Sequence, residues 1–201
     1  LTRERAHDAW LVDLDGTLYL QTPVRLAMAA ELSLLGWRAV RRLQRFRREH
    51  EQLRELGLEG DPFRLQLERT ARALGEPESV VEASVRDWMI ERPTKWLSLF
   101  RRHALLAEIA EFRARGGRTA LVSDYPARRK LGALGATPLF DVIVASGEPN
   151  GPVRLKPHPS GMLRAAAALG VEPSRCLVLG DRPDADGVAA SAAGMAFRRI
   201  G

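Results

Sequence analysis

The sequence predicts an α/β protein: an open parallel sheet, with a small all-helical region inserted after the first strand. Three observations predict it. Five short apolar runs read as strands, helical segments with clear stops alternate with strands from about residue 100 onward, and residues 22 to 92 offer helix signals only. Most of the strand runs are continuous rather than alternating, as expected where both faces of a parallel sheet are covered.

The first strand is centred on Trp10 to Val12 and ends at Asp13. Within the insert, Trp37 to Leu56 reads as a long Arg-rich helix stopped by Gly57. Asp61 followed by Pro62 supplies a cap and a first-turn proline for the next helix, which Gly75 ends. Pro77 opens a further helix that runs to Pro93, since a residue before proline is pushed out of the helical region. The segment Arg101 to Arg115 carries Leu105, Leu106, Ile109 and Phe112 at helical spacing before Gly116 and Gly117. Strands then follow at Thr119 to Val122, Val142 to Ala145, Cys176 to Leu179 and Ala196 to Arg199. Between them lie helices at Pro126 to Leu134, Pro159 to Leu169 and Asp186 to Ala193. This alternation of strand and helix is the pattern of an open α/β sheet. The expected division is an α/β core over residues 1–20 and 95–201 and an inserted helical domain over residues 21–94.

At 201 residues the chain can bury a sizeable core, and its 45% hydrophobic content is that of an ordinary globular protein. No apolar run approaches the roughly 18 residues of a membrane span, and no basic-then-apolar leader suggests secretion. Cys176 is the one cysteine, so nothing calls for an oxidising compartment and a cytoplasmic location is expected. The net charge of +6 comes almost wholly from arginine; Lys95, Lys130 and Lys156 are the only lysines. Basic residues lie beside acids along most segments, so nucleic acid is not an expected partner, although the Arg-rich stretch Trp37 to Arg54 is where one would bind. Arg38, Arg41, Arg42, Arg45, Arg47 and Arg48 there are read mainly as solvated helix surface. Trp37, Trp88 and Trp96 are expected to pack in the core or between domains, and Cys176 to be a buried strand residue.

The chemistry is concentrated at the carboxyl ends of the strands. Asp13-Leu14-Asp15-Gly16-Thr17 follows the first, Ser123 the second, Lys156 stands in the loop after the third, and Gly180-Asp181 follows the fourth, with Asp186 five residues on. In open α/β sheets ligands bind beyond these ends, so one rule brings residues distant in sequence to one place. Asp13 and Asp15 alone would fit an Asp-Gly turn whose acids cap backbone groups. Two full charges about 4 Å apart at an effective dielectric near 20 repel by roughly 4 kcal/mol, so a cation at such a site would offset a real cost. Asp13, Asp181 and Asp186 are the candidate ligands, and an all-oxygen set favours Mg²⁺ over a softer metal. Lys156 and the Ser123 hydroxyl suit the oxygens of a phosphoryl group. Asp13 is the candidate nucleophile, forming an aspartyl-phosphate, and Asp15 the acid and then base for leaving group and water. Asp124, beside Ser123, is assigned to capping the helix that starts at Pro126, and Asp184 is left out of the site.

These motifs resemble the haloacid dehalogenase superfamily of aspartate-nucleophile phosphotransferases. Asp13-Leu14-Asp15-Gly16-Thr17 matches its first motif, Ser123 its second, Lys156 its third, and Gly180, Asp181 and Asp186 its fourth. The resemblance covers roughly residues 9 to 20 and 95 to 201. It implies a Rossmann-like core with a helical cap inserted after the first motif. It also implies metal ligation by Asp13, the backbone carbonyl of Asp15, Asp181 and, directly or through water, Asp186. Dehalogenases of the superfamily lack a carboxylate at the position of Asp15, so Asp15 argues for phosphate esters. Arg182-Pro183 stands where small residues are common in the family. The expected activity is a Mg²⁺-dependent phosphatase acting on a small phosphorylated metabolite such as phosphoglycolate, a sugar phosphate or a nucleotide monophosphate. A phosphomutase keeps the same residues, and a non-catalytic regulatory protein could keep the fold. Oligomeric state is not legible in the chain.

Overall fold

The computed structural model describes residues 7–201. Five parallel strands, β1 (Ala9–Val12), β2 (Arg118–Ser123), β3 (Val142–Ala145), β4 (Cys176–Gly180) and β5 (Ala196–Arg199), form one sheet in the order β3-β2-β1-β4-β5. The chain fills one side of β1 and then returns to fill the other, so the strand order reverses at β1. Val12 pairs with Leu121 on one side and Leu179 on the other, and the Asp13 N–H donates to the Leu179 carbonyl at 2.9 Å. That register places Asp13, Ser123 and Asp181 at one edge of the sheet, at the switch point where crevices form.

Successive strand residues point to opposite faces, and both faces are apolar. Trp10 and Val12 join Leu121 and Leu179 in one cluster, while Ala9 and Leu11 join Ala120, Val122 and Val178 in the other. The first is covered by α6 (His103–Ala114) and α7 (Arg128–Leu134), the second by α8 (Ser160–Leu169) and α9 (Val188–Ala192). Trp10 stacks on Phe112 with ring centroids 4.2 Å apart, a contact worth about 0.5–1.5 kcal/mol beyond its buried area.

Between β1 and β2 the chain runs through α1 (Gln21–Leu35), α2 (Trp37–Leu56), α3 (Pro62–Leu74), α4 (Glu78–Val85), a π-helical turn (Arg86–Glu91) and α5 (Thr94–Leu97). Ala39, Leu43 and Phe46 of α2 meet Phe63, Leu67 and Ala71 of α3 and Val81 and Val85 of α4 in a third cluster. The spacing of three and four residues is what lays these side chains on one helix face. Asp61 caps α3 by accepting the Phe63 N–H at 3.0 Å, and it also accepts the Gly147 N–H at 3.1 Å, tying this helix to the loop after β3. Among the described residues no helix is long and apolar enough to cross a membrane.

Two details differ from the sequence reading. Trp37 is 67% exposed, with the Arg38 guanidinium over its ring, rather than packed in a core. At the N-terminus of α2 its ring lies off the stripe of Ala39, Leu43 and Phe46 that faces α3. Asp124 does not cap α7. The N–H groups of Ala127 and Arg128 are taken by Glu148 Oε1, at 2.7 and 2.9 Å, so the helix begins at Arg128 and Asp124 is free for another task.

Candidate active site

Asp13, Asp15, Lys156, Asp181 and Asp186 line one cavity of about 740 Å³ between the carboxyl edge of the sheet and helices α1 and α2. Ser123 is buried at the same edge, with its Oγ accepting the Tyr125 N–H at 3.2 Å, but it is not part of the cavity lining.

The centre of the site is a buried ammonium. Lys156 Nζ lies 2.5 Å from Asp13 Oδ1 and 2.7 Å from Asp186 Oδ1. Burial alone would push this lysine down, but Asp13 and Asp186 outweigh it and hold its pKa well above the usual range. Burial pushes Asp13 up to about 7 despite Lys156, with Asp186 adding to the rise. The second oxygen of Asp13 accepts from Thr17 Oγ1 at 3.0 Å, so the carboxylate is fixed in orientation. Asp186 Oδ2 accepts the Arg182 N–H at 3.1 Å, an arrangement made by the π-helical turn Pro183–Gly187.

Two glycines make the cluster possible. At Gly16, with φ of +97°, a Cβ would stand 2.2 Å from Asp181 Oδ2, and at Gly180 one would stand 2.4 Å from Asp186 Oδ2. Both distances are far inside van der Waals contact, so only glycine lets these carboxylates approach the backbone.

Asp13, Asp181 and Asp186 each offer a carboxylate oxygen, and these oxygens lie within 4.8 Å of one another. Asp181 Oδ1 is buried with no hydrogen-bond partner, and burial, followed by the charge of Asp186, raises its pKa. An orphaned buried carboxylate oxygen facing two further carboxylates fits a hard divalent cation: it would satisfy the lone pairs and screen the repulsion.

Several residues at the site were given no part in it by the sequence reading, which assigned Asp124 to a helix cap. Lys130 of α7 pairs with Asp15 Oδ1 at 2.6 Å, and the Tyr19 hydroxyl donates to that same oxygen. As the only other buried lysine in an arginine-rich chain, Lys130 left a compositional signal that could have been followed. Asp124 accepts the Lys156 N–H at 3.1 Å and the Arg54 Nη2 at 2.9 Å, with His50 Nε2 at 3.9 Å. Burial would raise Asp124, but Lys156, His50 and Arg54 hold its carboxyl below the usual range. Arg54 comes from α2, so one buried carboxylate joins the helical insert to the loop that positions Lys156. Other arginines of α2 are spent within the insert: Arg42 pairs with Glu76, and Arg45 with Glu49.

A parallel sheet whose strand order reverses at β1, with four carboxylates and a buried lysine at that crevice, defines an α/β protein with an acidic site at its switch point and an inserted helical element. A family model of haloacid dehalogenase-like hydrolases matches residues 7–194, and the chain belongs to that family. Among solved structures, L-2-haloacid dehalogenase from Xanthobacter autotrophicus superposes with a TM-score of 0.65 at 20% identity, over 96% of this chain and 77% of that one. A β-phosphoglucomutase from Clostridium difficile gives 0.61 at 16% identity, over 97% and 85%. A predicted phosphoglycolate phosphatase from Haemophilus somnus gives 0.61 at 19%, over 96% and 85%. At these identities the likeness is one of fold. A search of curated proteins gives no match.

Proposed function

We propose that this chain is a Mg²⁺-dependent phosphatase that releases phosphate from a small phosphorylated metabolite, with residues 1–20 and 95–201 as catalytic core and 21–94 as cap. The observation that carries this reading is the Lys156 ammonium shared by Asp13 and Asp186 beside the unpartnered Asp181 oxygen. A dianionic phosphate needs such a cation close to its carboxylate nucleophile.

In this reading Asp13 attacks phosphorus in line. The P–O bond to the leaving group breaks, and an aspartyl-phosphate forms on Asp13. Thr17 and Lys156 hold the Asp13 carboxylate for that attack, and Lys156 neutralises the phosphoryl oxygens as they approach. The Ser123 oxygen already accepts from Tyr125, which leaves its hydroxyl proton for a phosphoryl oxygen. Both donors to Asp15 fall on Oδ1, which orients the carboxyl so that Oδ2 can pass a proton to the leaving oxygen and take one from the attacking water. Asp13, Asp181, Asp186 and the Asp15 carbonyl would hold Mg²⁺, which supplies charge neutralisation between nucleophile and phosphate. The carboxylate at position 15 is what favours a phosphate ester over a carbon–halogen bond, since an alkoxide leaving group needs a proton. We place the activity in the cytoplasm, on a small molecule, with no nucleic-acid or membrane partner.

The test is phosphate release from a panel of phosphorylated metabolites, with Mg²⁺ and with EDTA. Metal-dependent release by the wild type and none by a folded Asp13→Asn variant is expected. Release that survives Asp13→Asn would remove the nucleophile assignment, and return of phosphate to a second position of the substrate would make the protein a mutase.

A further inference from the structure

The phosphatase reading leaves the leaving group open, and the wall of the cavity opposite the sheet edge speaks to it. We propose that the substrate is the phosphate ester of an alcohol with an apolar or aromatic body, rather than of a polyhydroxylated sugar. This rests on the phosphatase reading for the reaction, whereas recognition of the alcohol depends on the cavity wall alone.

The charged members of the cavity lie mainly at the sheet edge and are engaged with one another. Lys130 and Tyr19 are spent on Asp15, Arg54 on Asp124 and Glu51, and Lys156 on Asp13 and Asp186. The wall contributed by the insert is of another kind. Met28 and Leu32 of α1, Leu43 of α2, and Trp88 and Met89 of the π-helical turn form it. Leu43 and Trp88 are buried members of the insert's apolar cluster, and Met28, Leu32 and Met89 pack against that cluster while remaining partly open to the cavity.

A sugar would bring several hydroxyls, and each hydroxyl buried without a partner loses hydrogen bonds it made to water. Among the described residues the uncharged polar side chains lining the cavity besides the two tyrosines are Gln21 and Thr22, both at the start of α1. Arg25, Arg47 and Arg182 also line it; all three are exposed, and Arg182 pairs with Asp184. Tyr125 is half-buried and stacked on His50, with ring centroids 4.6 Å apart. The stretch of wall formed by Met28, Leu32, Leu43, Trp88 and Met89 therefore offers dispersion contacts and few donors, and the donors beside it are mainly exposed guanidinium groups. Its two methionines are unbranched and polarisable, which suits contact with a flat ring. The volume, about 740 Å³, holds a ring-bearing alcohol together with its phosphate and exceeds what glycolate needs.

The experiment compares binding of two non-hydrolysable phosphonates to the full chain by calorimetry in Mg²⁺ buffer. The probes are benzylphosphonate and 2-hydroxyethylphosphonate. Benzylphosphonate is expected to bind about tenfold more tightly or better, since even one methylene in an apolar pocket is worth about tenfold. Met28→Gln combined with Met89→Gln, whose fold is checked by its melting temperature, is expected to cut that preference at least about fivefold. Equal or tighter binding of the hydroxyethyl compound by the wild type overturns the proposal, as does a folded double variant that keeps the full preference. The kcat/KM for benzyl phosphate against glycerol 3-phosphate, two esters of alkyl alcohols, should follow the same order. A binding preference with no hydrolysis of any monoester would uphold the recognition and overturn the phosphatase reading instead.

Discussion

Arg54 and Asp124 form the most exacting contact between the helical insert and the sheet edge, and replacing Arg54 by Met tests it. Arg54 Nη2 lies 2.9 Å from Asp124 Oδ2, with side-chain exposures of 12% and 8%. Removing one partner of a buried ion pair typically costs about 3–5 kcal/mol, because the other charge is left without compensation. Asp124 would keep the Lys156 N–H at 3.1 Å on its other oxygen, so the lower end, about 3 kcal/mol, is expected. For a domain of this size each kcal/mol shifts the melting temperature by about 2–4 °C, so the variant should melt roughly 6–12 °C below wild type. His50 supplies an internal check. Its Nε2 is buried without a hydrogen-bond partner, 3.9 Å from Asp124, and burial, with Arg54 also contributing, holds its pKa below 6.5. Loss of Arg54 removes a cation that opposes its protonation, so the deficit should narrow as the pH is lowered from 8 towards 6. The assay is thermal unfolding of both proteins across that range. A drop of less than about 1 kcal/mol at pH 8, the value of a solvent-exposed pair, would refute the reasoning and show that the insert does not desolvate Asp124.

In the wild type, the lowered pKa of buried His50 means that the unfolded chain binds the proton more readily. Stability from this residue is therefore present above its unfolded value of 6.5 and lost as the pH falls below it, and His50→Gln should flatten that part of a pH–stability curve measured by urea unfolding. Lys130→Met should lower kcat by about 10²-fold through misplacement of Asp15, with Lys130→Arg restoring part of it, as read by phosphate release on a good substrate. Gly16→Ala places a methyl 2.2 Å from Asp181 Oδ2 at a φ of +97°. It should weaken Mg²⁺ binding by about tenfold or more in a calorimetric titration, as displaced ligands and their supports typically do.

The sequence by itself determined the elements whose causes are local. Continuous apolar runs become strands β1 to β5 because a parallel sheet covered on both faces asks nothing else of them. The start of α3 follows from Asp61 and Pro62, and its end, like those of α2, α7 and α8, from glycines that can take positive φ. The family, too, could be read from the resemblance of its motifs to those at Asp13, Asp15, Ser123, Lys156, Asp181 and Asp186, and the sheet rule carries such residues to one edge. Tertiary structure decided what depends on which partner arrives from elsewhere in the chain. Asp124 has the local signature of a helix cap, yet Glu148, from the loop after β3, takes that position and Asp124 binds Arg54 of the insert. Trp37 has the composition of a core residue and lies in solvent, because the packing of α2 on α3 uses a different stripe. Lys130 has no motif around it; only the docking of α7 against the β1 loop puts its ammonium on Asp15. The apolar wall of the cavity likewise joins Met28, Leu43 and Met89 from three segments. Periodicity and turn chemistry are properties of neighbours in the chain, whereas charge pairing and cavity lining are properties of neighbours in space.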